Sequence, residues 1–151
     1  MDEDGVAWVT RTPELVAAVR TAKQYLTYVS AGPFQYAVAE ALRLPDSCFD
    51  GFRADLARKR DILATGLRAA GFEVYEPQRT YVITTDVAPF GEQGAYTFCR
   101  ELPRRCGAVA IPNSVFHDDE KAGRSQVRFT FCKQDHVPTE AVTRLRHLAE
   151  R

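Results

Sequence analysis

The residue with the clearest capacity for recognition chemistry is Arg128, in the run Val127-Arg128-Phe129-Thr130-Phe131-Cys132-Lys133. Apolar and polar residues alternate there with the period of a β-strand. Val127, Phe129 and Phe131 form a face that can sit on a core, and the opposite face lifts one guanidinium off the sheet. An arginine held on a rigid strand can fork onto a carboxylate through two parallel hydrogen bonds. The competing reading is an arginine on a solvated strand face.

Other reactive side chains make weaker groupings. Ser114 with His117 or His136 offers a nucleophile and a base, but no G-x-S-x-G elbow surrounds the serine. Cys48, Cys99, Cys106 and Cys132 have no zinc-ligand spacing, and His117, His136 and His147 do not complete one. Cys99 and Cys132 sit in apolar periodic segments, where packing accounts for them. Asp118-Asp119-Glu120 is an acidic loop of the kind usually left to solvent. No metal site is expected.

These groups belong to a chain of 151 residues, 45% hydrophobic and 11% aromatic, enough for a buried core. Lys+Arg and Asp+Glu are 20 each, so no net field draws nucleic acid or an anionic membrane. The basic run from Arg53 to Arg60 contains Asp55 and reads as a solvated helix face. No apolar run approaches the ~20 residues needed to span a bilayer. With an acidic Met1-Asp2-Glu3-Asp4 start and free thiols as the default, the expected location is cytoplasmic.

The elements that must carry Arg128 follow in order. Val6-Ala7-Trp8-Val9 reads as a strand, one that starts as if in the middle of something larger. Thr12-Pro13 opens a helix with a hydroxyl cap and a first-turn proline. Its packing face is Leu15, Val16, Val19, Ala22 and Leu26. A second helix spans Phe34 to Leu44, stopped by Pro45. The longest helix begins at Ser47 with the stripe Phe49, Phe52, Leu56, Leu63, Leu67 and Ala70, and Gly71 terminates it. Strands are expected at Phe72–Tyr75, Thr80–Val87, Val109–Ile111 and Val127 onward. One helix lies between the second and third, and another starts at Pro138 with Val137, Ala141, Leu145 and Leu148 inward. This order predicts an α+β fold, helices on one face of a mainly antiparallel sheet.

Five segments in this order carry a resemblance. They are Thr27-Tyr28-Val29-Ser30-Ala31-Gly32-Pro33-Phe34-Gln35, Lys59-Arg60-Asp61, Gly71-Phe72, Pro112-Asn113-Ser114-Val115-Phe116, and the Arg128 strand. The chain resembles class I/II aminotransferases, pyridoxal-phosphate enzymes of fold type I, in the branch of kynurenine, methionine and N-succinyldiaminopimelate aminotransferases. The resemblance implies amino-group transfer from an amino acid to a 2-oxo acid, with Arg128 gripping the substrate α-carboxylate. It also implies homodimers, or pairing with a full-length homologue, built partly from the segment like Tyr28 to Gln35.

The departures set further expectations. Schiff-base chemistry needs a lysine. The family's S-x-x-K-like motif lies just before the segment matching Val6 to Thr10. None of Lys23, Lys59, Lys121 and Lys133 follows a serine at that spacing. Arg79 stands at a turn where relatives have glycine, so it is expected to meet the cost of a positive φ. The chain therefore reads as a truncated C-terminal part. Residues 1–33 are expected to be a remnant of the large cofactor-binding domain, 34–71 linking helices and 72–151 the small C-terminal domain. Alone, it is expected neither to bind pyridoxal phosphate covalently nor to turn over. The alternatives are a non-catalytic binding module or a non-functional remnant.

Overall fold

The computed structural model describes residues 9–28, 32–91, 94–119 and 121–148. All but Val9 of the expected strand Val6–Val9, and part of the Tyr28–Gln35 segment, lie outside the described residues. The chain divides into two compact units, Met1–Asp50 and Gly51–Arg151.

In the first unit, α1 spans Pro13–Leu26 and α2 spans Gly32–Ala41. Pro13 occupies the first turn of α1 as expected, but Thr12 makes no side-chain capping bond. Its hydroxyl goes instead to Glu14, whose carboxyl is held below its usual range, chiefly by a backbone hydrogen bond and then by Thr12. Neither helix has a buried residue. Leu15, Val19 and Leu26, expected to pack, are all exposed, Leu26 at 81%.

The second unit holds Arg128. Helix α3, Asp46–Ala69, enters it and ends where Gly71 takes φ +87°. Then come β1 Glu73–Tyr75, β2 Val82–Asp86, α4 Ala95–Cys106, β3 Ile111–Pro112, β4 Gln126–Thr130 and α5 His136–Arg146. The four strands form one antiparallel sheet in the order β1-β2-β4-β3. Residues on one sheet face share a single core with the helices. Ile83, Val127, Phe129 and the following Phe131 meet Leu63 and Leu67 of α3, Phe98 and Leu102 of α4, and Val142 and Leu145 of α5. Phe72, Phe90, Phe98 and Phe129 make tilted and edge-on ring contacts at centroid distances of 4.5 to 6.0 Å.

Two expectations about packing faces shift. On α3 the stripe holds at Leu63, Leu67 and the following Ala70, while Phe52 is exposed. On α5 and just after it the inward residues are Pro138, Val142, Leu145 and Leu148, the last two as expected, and Val137 turns out. Val142 lies against Gly66 of α3, where an added Cβ would come within 2.1 Å of it. The helices can approach this closely because Gly66 has no side chain.

The turn before β2 also corrects the sequence reading. The positive φ falls on Thr80, at +73°, and not on Arg79. A β-branched residue fits that conformation poorly, because its side chain crowds the backbone. Thr80 Oγ1 accepts only a long bond from the Val82 N–H, 3.4 Å. Thr80→Gly should therefore raise unfolding stability by up to about 1 kcal/mol, read by urea denaturation. An unchanged or lowered midpoint would show that the turn is not strained.

A charged cluster ties α3 to the start of α5. Arg58 Nη2 donates to both oxygens of Asp135 at 2.8 and 2.9 Å and to Asp55 at 2.6 Å. Lys59 Nζ lies 2.7 Å from Asp55 and 3.6 Å from Asp135. The Arg58 hydrogen bond holds the Asp135 carboxyl below its ordinary value, and Lys59 then Arg58 do the same for Asp55. Depressed carboxyl groups stabilise the fold above their unfolded values, about 4, and lose that effect as pH falls through the folded ones. Asp135→Asn should thus flatten the loss of thermal stability below about pH 4 while changing melting little at high salt, since the pair is exposed. A variant with the wild-type acid profile would remove the cluster from the account.

Candidate carboxylate-binding site

Burial decides where Arg128 goes. Val127 and Phe129 are in the core, so the residue between them must face the other way. The register places Thr84 of β2 and Ile111 of β3 directly beside Arg128. Gln126, two residues earlier, shares this outer face, paired with Asp86. The sequence expectation of a guanidinium directed away from the apolar side is what the sheet produces.

The outer face then holds the side chain in place. After β3 the chain makes one turn of 3₁₀-helix, Asn113–Phe116. Residues three apart in such a turn lie on the same side, so Asn113 and Phe116 both reach Arg128. Arg128 Nε donates to Asn113 Oδ1. Phe116 lies under the guanidinium, with Cζ 4.0 Å from the ring centroid. A flat cation on an aromatic face gains quadrupole attraction and loses freedom to swing. Asn113 is buried at 6% exposure, and its Nδ2 donates to Gln126 Oε1 at 2.9 Å. Beyond Gln126 stands Tyr75, whose hydroxyl is raised above its ordinary value by burial and then by the carboxylates of Glu73 and Asp86. Asp86 itself accepts from Ser125 Oγ at 2.7 Å and from the Ala88 N–H at 2.8 Å.

Arg128 has no carboxylate partner among the described residues. Arg58, Arg60, Arg68 and Arg144 each meet one: Asp135 and Asp55, Asp61, Glu76, and Glu140. Among the described residues only Nε of Arg128 is used in a hydrogen bond, so the two terminal nitrogens keep a parallel pair of N–H groups. An edge of that shape can fork onto a carboxylate.

The remaining candidates are not assembled into sites. His117 is joined to Ser114 by a backbone bond, its N–H donating to the Ser114 carbonyl at 3.2 Å. His136 lies on α5. The four cysteines are free, and burial pushes the Cys99 thiol up to about 11, which leaves it a poor nucleophile. Cys106 Sγ donates to the Leu102 carbonyl at 3.5 Å. Asp119 Oδ1 accepts from the Lys121 N–H, and no cluster that could hold a metal occurs among the described residues. No helix of the described residues is long and apolar enough to cross a membrane. Sequence reasoning missed the roles of Asn113, Phe116 and Gln126. The signals were the three-residue spacing of the first two and the two-residue step from Gln126 to Arg128.

Known proteins share the sequence and the fold of this chain. Residues 4–145 match the family model described as aminotransferase class I and II. The chain is 44% identical to a probable N-succinyldiaminopimelate aminotransferase of Mycobacterium tuberculosis, over 97% of this chain and 39% of that protein. It is 32% identical to a kynurenine–oxoglutarate transaminase of Dictyostelium discoideum, over 86% of this chain and 34% of the relative. The solved N-succinyldiaminopimelate aminotransferase structure from Mycobacterium tuberculosis superposes with a TM-score of 0.81 at 45% identity, covering 89% of this chain and 35% of that one. The chain thus spans less than half the length of these relatives. With the family model matching residues 4–145 and the fold shared at a TM-score of 0.81, the chain belongs to the class I and II aminotransferases.

Proposed function

We propose that this chain serves amino-group transfer between an amino acid and a 2-oxo acid, and that Arg128 binds the α-carboxylate of both. The observation that carries the reading is the free terminal edge of the Arg128 guanidinium, held on a strand and backed by Phe116. Fixing the carboxylate fixes the carbon beside it, where the amino group leaves or arrives. Such positioning replaces a loose encounter by a defined geometry, so its cost is met on binding rather than during reaction.

Family membership implies pyridoxal phosphate, which when bound supplies an electron sink for the carbon that loses its proton. The described residues do not fit it. A Schiff-base lysine must be able to lose its proton. Lys59 is paired with Asp55 and Asp135, and its ammonium is held protonated by the bond to Asp55 above all. Lys121 and Lys133 are exposed and Lys23 lies on α1. In this reading none of the four is the Schiff-base residue, and the chain's own contribution is carboxylate recognition. Residues 1–33 would then belong with a large cofactor-binding domain, 34–71 with linking helices and 72–151 with a small domain. The apolar residues exposed on α1 and α2, among them Val19, Leu26, Phe34 and Tyr36, are assigned to contact with a second subunit. The comparisons give the stand-alone binding-module reading no support of its own.

Two measurements test this. Titrating the labelled chain with 2-oxoglutarate should shift the Arg128 side-chain resonances, and Arg128→Lys should weaken that binding about tenfold by removing the fork. Resonances that stay put during the titration would sink the carboxylate role. Sedimentation over a concentration series should show self-association that Leu26→Glu reduces. A monomer at all concentrations would refute the subunit contact.

A further inference from the structure

We propose that Asn113 and Gln126 are positioning residues for Arg128: Gln126 fixes which end of the Asn113 amide faces the arginine, and Asn113 thereby sets which edge of the guanidinium is open. The inference rests on the carboxylate role given to Arg128.

An asparagine side chain carries an oxygen that accepts and a nitrogen that donates, and either end can face a neighbour. Only the oxygen end suits Arg128, which has donors alone. Gln126 Oε1 accepts from Asn113 Nδ2 at 2.9 Å, so the nitrogen is drawn toward Gln126 and the oxygen is left toward Arg128 Nε. Because Asn113 is buried at 6% exposure, water cannot easily replace either partner. A reversed amide would put a donor against the guanidinium, and both would be left unsatisfied.

The consequence is a choice of geometry. A guanidinium offers carboxylates a side-on fork, which uses Nε, and an end-on fork, which uses the two terminal nitrogens. Asn113 occupies Nε, so only the end-on fork remains. Phe116 covers one face of the plane and restrains its rotation. The chain therefore takes a carboxylate of an amino or 2-oxo acid along the extension of the Arg128 side chain.

The direct test is hydrogen exchange of the Arg128 Nε–H in the full chain, followed by nitrogen-resolved NMR without ligand. In the wild type this proton should exchange several-fold more slowly than that of Arg79 in the exposed turn. Asn113→Ala and Gln126→Leu should each speed it about fivefold, the loss of one ordinary hydrogen bond. Gln126→Glu retains an acceptor for Asn113 Nδ2 and should restore the slow rate. Equal rates in Gln126→Leu and Gln126→Glu would overturn the role of Gln126. Wild-type exchange as fast as at Arg79 would overturn the whole proposal, even if Asn113→Ala fails to fold. A final arm adds 2-oxoglutarate to the wild type and follows the terminal nitrogens. Slow exchange at Nε together with no response there would leave the positioning intact and remove the carboxylate reading beneath it.

Discussion

The alternation of β4 over the core is the constraint from which the site follows. Val127, Phe129 and Phe131 bury almost completely. Each such side chain contributes about 1.5–3 kcal/mol by leaving water. A slip of one residue would exchange the faces, exposing these three and burying Arg128 unpaired. Both changes are costly, so the register is fixed by the core and not by the arginine. The outward placement of Arg128 is the reverse side of a decision made by packing. The same register brings Gln126 to the outer face and sets Ile111 and Thr84 on either side of the guanidinium.

Rigidity at Arg128 has a second source, in the short segment after α4. Gly107 closes α4 with φ +71°, and the carbonyl of Gly107 accepts from Arg144 of α5 at 3.1 Å. The chain then pairs Ile111 and Pro112 with β4 before turning through Asn113–Phe116. Two residues of strand are enough because the partner strand is itself pinned to the core. The turn that follows is aimed by that pairing, so Asn113 and Phe116 arrive beside Arg128 without a long element of their own. This places a two-part clamp, one polar and one aromatic, on one side of a single cation.

Much of this arrangement could be read from the residues. The period-two run at Val127–Phe131 predicted both the strand and the direction of Arg128, because burial of one face leaves no other solution. The order of strands and helices predicted an antiparallel sheet with helices on one side. Packing faces were less legible. On α5 the sequence placed Val137 and Ala141 inward, whereas the structure turns Val142 onto Gly66 of α3, where the missing side chain leaves room for it. The strained turn was off by one residue, since composition marks a turn but not which member takes the positive φ. The clamp was missed for a different reason. Asn113 and Arg128 are fifteen positions apart, and their contact depends on a strand pairing that periodicity alone does not specify.

The choice of an amide as the partner of Arg128 follows from what the site must keep. A carboxylate at position 113 would orient the guanidinium equally well, but it would also neutralise it. Two opposite unit charges at contact distance attract by several kcal/mol near a protein surface, and a ligand carboxylate would have to compete with that pairing. An amide oxygen supplies direction through one hydrogen bond and leaves the full positive charge available. The aromatic ring of Phe116 acts the same way, since it restrains the plane without consuming an N–H group. Elsewhere in this chain arginines such as Arg58 and Arg144 meet carboxylates on exposed helix faces. At Arg128 the groups that orient the cation among the described residues are neutral, Asn113 and Phe116, an arrangement that suits a counter-charge supplied by a ligand.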